Sequence, residues 1–260
     1  ELQRCRAVCY PSLTSDQVAD RFELWGGFPR YVFEAPSFYD HDEEKWEENV
    51  ATFELQTLLE SKGRLDRIPK GRSGAHTVMV YEVDNFKRTG VRFASRRTEE
   101  AVFRKHRGAE SQKLLAFFQG SRGIPALAGA RGNVFEWMAH SVVAEGGTFR
   151  SRPTNSQKVS SQKLPKMEII PFSRESDVCK ILPKLTGKPP SYLCPDYPTF
   201  PVLDGIGFVA DAPIGFQMTQ QKRHKVSHDG YMRVRAQLGL SAGQPLKMFI
   251  AVPEDAFSEI

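Results

Sequence analysis

Apolar positions recur at two different periods along the chain. From Ser15 to Phe33, Val18, Phe22 and Leu24 form a helical stripe, with Ser15 in a capping position. Trp25-Gly26-Gly27 stops the run and Pro29 opens the next element. The spacing of Trp46, Val50, Phe53, Leu55 and Leu58 predicts a second amphipathic helix from Asp40 to about Ser61. His76 to Val83 (HTVMVYEV) alternates and is rich in β-formers, so a strand is expected, with another short one from Val91 to Ser95. Thr98 to Phe118 predicts a long helix ending at Gly120, and the Gly/Pro/Ala stretch from Gly120 to Gly132 separates it from the next element. The domain boundary is expected near Thr98, giving segments 1–97 and 98–260.

Beyond the separator a compact helix is expected from Asn133 to Glu145, with Phe135, Met138, Val142 and Val143 on its apolar side and Gly146-Gly147 at its end. A polar loop comes next, from Arg152 to Lys163. Strands are expected at Met167 to Phe172, Phe200 to Phe208 and Ile214 to Thr219, the last two joined by a turn containing Asp211 and Pro213. Asp229 to Leu238 reads as a helix and Pro245 to Pro253 as a buried strand. The order α, β, β, β, α, β predicts an α/β domain with a mixed sheet flanked by helices, preceded by a small, mostly helical N-terminal segment.

The chain has 260 residues, 40% of them hydrophobic, which is enough for a substantial core. It contains no run of eighteen or more apolar residues and its N-terminus lacks a signal-peptide pattern, so neither a membrane span nor an export signal is expected here; an address for secretion would lie upstream of Glu1. A net charge of +5 favours polyanionic partners but equally suits a soluble basic protein. Cys5, Cys9, Cys179 and Cys194 form no CxxC pair and no zinc-spaced cluster, so free thiols are expected. No GxxxxGK[ST] sequence is present, and no ATP site is expected.

Candidate chemistry gathers in the second segment. Glu136 sits on the expected helix, Asp204 late in a strand, and Gln217 with Thr219 in the adjacent strand, where residues two apart face the same way. A helix carboxylate facing a carboxylate-bearing β-hairpin is the arrangement metal-dependent phosphodiester nucleases use. Asp204, the Gln217 carbonyl and Glu136 would offer oxygen ligands to a hard cation, Mg²⁺ or Mn²⁺. Thr219 cannot supply the usual cationic helper; Lys222 and His224, in QQKRHK, stand nearby in sequence. His140, one turn after Glu136, would either orient that carboxylate or lie on the surface; for His224 and His228 loop solvation is the favoured reading. From Arg150 to Lys188 basic residues outnumber acidic ones. Lys158, Lys163 and Lys166, with Arg223 and Lys225, are the candidate nucleic-acid contacts, a merely solvated face being the alternative.

Several blocks together resemble the C-terminal region of Crinkler-type effectors and the related retrotransposon hot spot proteins. ARGNVFEWMAHSVVAEGGTFRSR from Ala130 is similar to the "G, FE, AH, GG" helix of their restriction-endonuclease-like domain. FPVLDGIGF with GFQMT resembles its hairpin, and PLKMFIAVPEDAF its final strand. WGGFPRYVF from Trp25 and VRFAS from Val91 resemble the end of their NTPase module and the stretch after it. The resemblance implies a lid- or winged-helix-like NTPase remnant over 1–97 and a restriction-endonuclease-like (PD-(D/E)xK) domain over 98–260. It further implies a secreted virulence effector acting in the host cell nucleus as a metal-dependent DNA nuclease. Expected partners are DNA, or RNA in its place, host nuclear proteins and an upstream NTPase module; no membrane is involved. The family's motif carries over to Glu136, Asp204 and Gln217, with Lys222 as the candidate cation. Gln217 and Thr219 stand where a carboxylate and a lysine are usual. A decayed, non-cutting binding module therefore stays open as the alternative.

Overall fold

The computed structural model describes residues 1–33, 39–69, 74–106, 111–154, 156–195, 202–220, 226–241 and 243–257. The chain is mixed α/β and forms two compact units, Glu1–Val134 and Phe135–Ile260.

The first unit is mostly helical. It contains α1 (Leu2–Cys9), α2 (Ser15–Trp25), the single turn α3 (Pro29–Val32), α4 (Tyr39–Thr52), α5 (Leu55–Ser61) and the single turn α6 (Ala75–Val78). The antiparallel hairpin β1 (Met79–Asp84) and β2 (Lys87–Phe93) comes next, then α7 (Arg96–Lys105) and α8 (Ser111–Gly120). Its core includes the fully buried Leu24, Trp25, Phe53, Leu58, Met79, Phe103 and Phe117. Thr14, rather than Ser15, caps α2: its hydroxyl accepts from Gln17 N while the Gln17 side chain accepts from Thr14 N.

The helix expected over 40–61 is two helices. Phe53 turns into the core with none of its surface exposed, and Glu54 is extended. Lys105 Nζ donates to the carbonyls of Ala51 and Phe53, at 2.6 and 2.8 Å, which satisfies groups that a helix end leaves without partners. His76–Val78 belongs to a helical turn, closed by Thr77 Oγ1 on Gly74 O, so the strand begins only at Met79. The long helix expected from Thr98 is α7 and then α8, with 107–110 outside the described residues.

The division between units falls at Val134 rather than near Thr98. Thr98 is buried in the first unit, where its Oγ1 donates to Leu24 O and accepts from Trp46 Nε1. The expected separator is itself ordered: a 3-10 turn at Pro125–Leu127 runs into α9 (Ala128–Glu145), and Leu127 and Ala130 are buried. Apolar side chains inside a Gly/Ala-rich run make it packing material.

The second unit, after the start of α9, holds the hairpin β3 (Gly147–Ser151) and β4 (Ser160–Leu164), then β5 (Glu168–Phe172), α10 (Glu175–Ile181), β6 (Ser191–Pro195), β7 (Gly205–Val209), β8 (Ala212–Met218), α11 (His228–Gln237) and β9 (Lys247–Ala251). Strands β5 to β9 form one mixed sheet in that order. Pairs β5/β6 and β8/β9 are parallel, while β6/β7 and β7/β8 are antiparallel. One sheet face, with Leu193, Ile206 and Phe208, packs on Val178 of α10 and Val234 of α11. The other, with Tyr192, Phe216 and Met218, packs on Ala139, Val143 and Ala144 of α9.

The expected order α, β, β, β, α, β gains β3, β4, α10 and β6, which short or polar runs did not reveal, and three expectations change. The polar segment 152–163 contributes strand β4, because Leu164 and the partly buried Phe149 anchor a hairpin whose outer positions are polar. The strand expected from Phe200 starts at Gly205, with 196–201 outside the described residues. Strand β9 is an edge strand rather than a buried one: among the described residues it pairs only with β8, and Ile250 is 38% exposed. The β7–β8 turn, Ala210-Asp211, has both φ values positive, as a two-residue hairpin connection requires, and Asp211 Oδ1 accepts from Gly187 N.

Candidate active site

Alternation along β6 sends Leu193 to one face of the sheet and Tyr192 and Cys194 to the other, toward α9. Glu136 and His140 lie one turn apart on α9. His140 Nδ1 is 2.8 Å from the Tyr192 hydroxyl and its Nε2 is 3.8 Å from Glu136 Oε1. Tyr192 is completely buried, with its ring edge against Phe216. A Cβ on Gly205 would collide with the Tyr192 hydroxyl. Only glycine at that position lets the phenol pass over β7.

Asp204 is presented by a strained turn. Val202, a β-branched residue, has a φ of 68°; Leu203 turns into the core; and Asp204 N donates to Phe216 O. The Asp204 carboxylate then faces β8, where Oδ2 accepts from Gln217 Nε2 at 2.6 Å and from Met218 N at 2.5 Å. Burial, reinforced by the Glu136 charge, pushes Asp204 up to about 6, even though the Met218 amide, His140 and Gln217 oppose the shift. Burial acts against a charged His140, but Cys194 and Glu136 outweigh it and raise the imidazole to about 9. The Tyr192 hydroxyl is raised well above its ordinary range, chiefly by burial.

Asp204 and Gln217 are thus in direct contact, and Glu136 is close enough to act on Asp204 through its charge. Thr219 lies just past β8, buried, with its N–H donating to Ala251 O. Lys158 and Lys163 are exposed, Lys163 on β4, and the exposed Lys166 pairs with Glu145 at 2.8 Å. Lys222, Arg223, His224 and Lys225 lie outside the described residues. Sequence reasoning missed Tyr192, Cys194 and Gly205. The only available signal was the Tyr-x-Cys alternation in SYLCP, a short run hemmed in by prolines.

Among the described residues no three His, Cys, Asp or Glu side chains form a metal cage. Asp204 and Glu136 are hard oxygen donors whose charges oppose one another in a partly buried place, and both hydrogen bonds to Asp204 end on Oδ2. A Mg²⁺-like cation that keeps several waters would relieve that opposition, held by Asp204 Oδ1 with Glu136, and by Gln217 if its amide turned to present its oxygen. No family model, curated protein or solved structure matches the chain.

Proposed function

We propose that the second unit is a restriction-endonuclease-like domain that cleaves the phosphodiester backbone of DNA with Mg²⁺ or Mn²⁺. The observation that supports this most is the raised, partly buried Asp204 carboxylate, beside the helix carboxylate Glu136 and against Gln217 of the neighbouring strand. The mixed sheet adds to it: the antiparallel run β6–β7–β8 faces α9 and is followed by α11 and the parallel β9, although β3, β4, β5 and α10 intervene between α9 and β6 in the chain. When bound, the cation would acidify a water and neutralise charge on the scissile phosphate. The chain's own residues have separate tasks. Asp204 anchors, Glu136 adds the second charge, and His140, fixed by Tyr192, orients Glu136. Lys222 is the candidate for the cation that Thr219 cannot provide. The Crinkler resemblance extends the proposal to a secreted effector working in a host nucleus, with DNA, host nuclear proteins and an upstream NTPase module as partners.

The test is nicking of supercoiled plasmid by the full chain with Mg²⁺. Asp204→Ala abolishes it while the fold stays intact, and Gln217→Glu, which restores an anionic ligand, raises it. Undiminished metal-dependent nicking by Asp204→Ala would sink the assignment. One observation favours a second reading, a binding module that does not cut: Gln217 and the Met218 amide already satisfy Asp204 Oδ2 internally. That reading expects no nicking by the unaltered chain and retained DNA binding in Asp204→Ala.

A further inference from the structure

Arg150 and Arg152, two residues apart at the end of β3, both lie over one ring. Their guanidinium carbons are 4.8 and 5.4 Å from the centroid of Phe257. Both cations are attracted to the ring, and a guanidinium so held keeps N–H groups that can meet other partners. Arg152 Nη1 donates to the neutral Gln157 at 2.6 Å, and the one carboxylate paired with Arg150 among the described residues is Glu254, 91% exposed and 4.0 Å away. Two like charges are therefore gathered on one aromatic platform with little to neutralise them.

The surroundings continue the charge. In the β3–β4 register Thr148 opposes Lys163 and Arg150 opposes Ser161, so Arg150 and Lys163 share a face of the hairpin, and both are exposed. Phe257 belongs to the chain that leaves β9 beside the site, since Gln217 is paired with Ile250 and Met218 with Ala251. Flat, fork-shaped donors suit phosphate oxygens, and an aromatic platform suits bases that stack.

We infer that Arg150, Arg152 and Phe257 form a grip for the phosphodiester backbone of the nucleic acid that the Asp204 site acts on. This rests on the proposed function and supplies its substrate contact, on the two arginines that open the basic stretch 150–188 marked in the sequence, together with Phe257, which the sequence did not mark.

The test uses the full chain and a fluorescein-labelled DNA duplex and its single strand, monitored by anisotropy across a salt series. Arg150→Gln with Arg152→Gln lowers the slope of log affinity against log salt by roughly 2 for the duplex and somewhat less for the single strand. Arg150→Lys with Arg152→Lys keeps the slope but binds more weakly, because the stacked fork is lost. A slope unchanged in the glutamine pair, with the unaltered chain binding DNA, overturns the grip and leaves the proposed function standing. No DNA binding by the unaltered chain at low salt overturns both. Equally tight binding of a polyglutamate peptide of matched charge also overturns the grip, since the surface would then be a general anion face.

Discussion

Ionised at neutral pH, the Asp204 carboxylate carries its charge against its surroundings. Its folded value of about 6 lies above its unfolded value of 3.8. A group raised in this way contributes most to stability below the unfolded value, and the contribution is lost as pH rises through 6. His140 has the same sign: raised to about 9 from 6.5, it adds stability below 6.5 that disappears as pH rises through 9. Asp204→Asn keeps an oxygen for Gln217 and Met218 but removes the charge. It should stabilise the second unit at pH 7 by up to about 2–3 kcal/mol and change little below pH 4. Urea unfolding across pH reads this directly, and an asparagine variant no more stable than the parent at pH 7 would remove the case that Asp204 is kept for function. An acid flanked by apolar residues already marks Asp204 in the sequence. Tyr192, Cys194 and Gly205 carry no such mark, because their role comes from strands distant in sequence crossing in space.

Long amphipathic runs showed where helices and strands lie, but not where tertiary contacts break them. Nothing in the spacing of Trp46 to Leu58 reveals that Lys105, some fifty residues on, takes the carbonyls of Ala51 and Phe53 and so ends α4. Strand β4 stayed hidden because its alternation rests on Leu164 alone. β7, β8 and α11 were legible because turn residues and apolar runs agree there. At the start of α2, Thr14 and Ser15 both have capping chemistry, and only the geometry separates them. Thr14→Ala should cost the first unit about 1 kcal/mol, whereas Ser15→Ala should stay within about 0.5 kcal/mol. Thermal unfolding of both variants checks the contrast, and equal losses would contradict the assigned cap.

At the scale of the whole chain, the two units predict which fragments can fold. Residues 98–127 belong to the first unit, and their buried side chains, Val102, Phe103, Leu114 and Phe117, are part of its core. A fragment of residues 98–260 would carry α7 and α8 without α2, α4 and α5, the helices they pack against, and so expose those side chains to water. A fragment of residues 128–260 retains all of α9 and both core clusters of the second unit. The shorter fragment should therefore be soluble and unfold cooperatively. The longer one should bind a hydrophobic dye and aggregate, because an exposed apolar patch of that size is an aggregation liability. Dye fluorescence and circular dichroism of the two fragments, produced side by side, distinguish the cases. A well-behaved 98–260 fragment beside an unfolded 128–260 fragment would move the boundary back to Thr98. It would show that α7 and α8 stabilise the domain that carries Asp204.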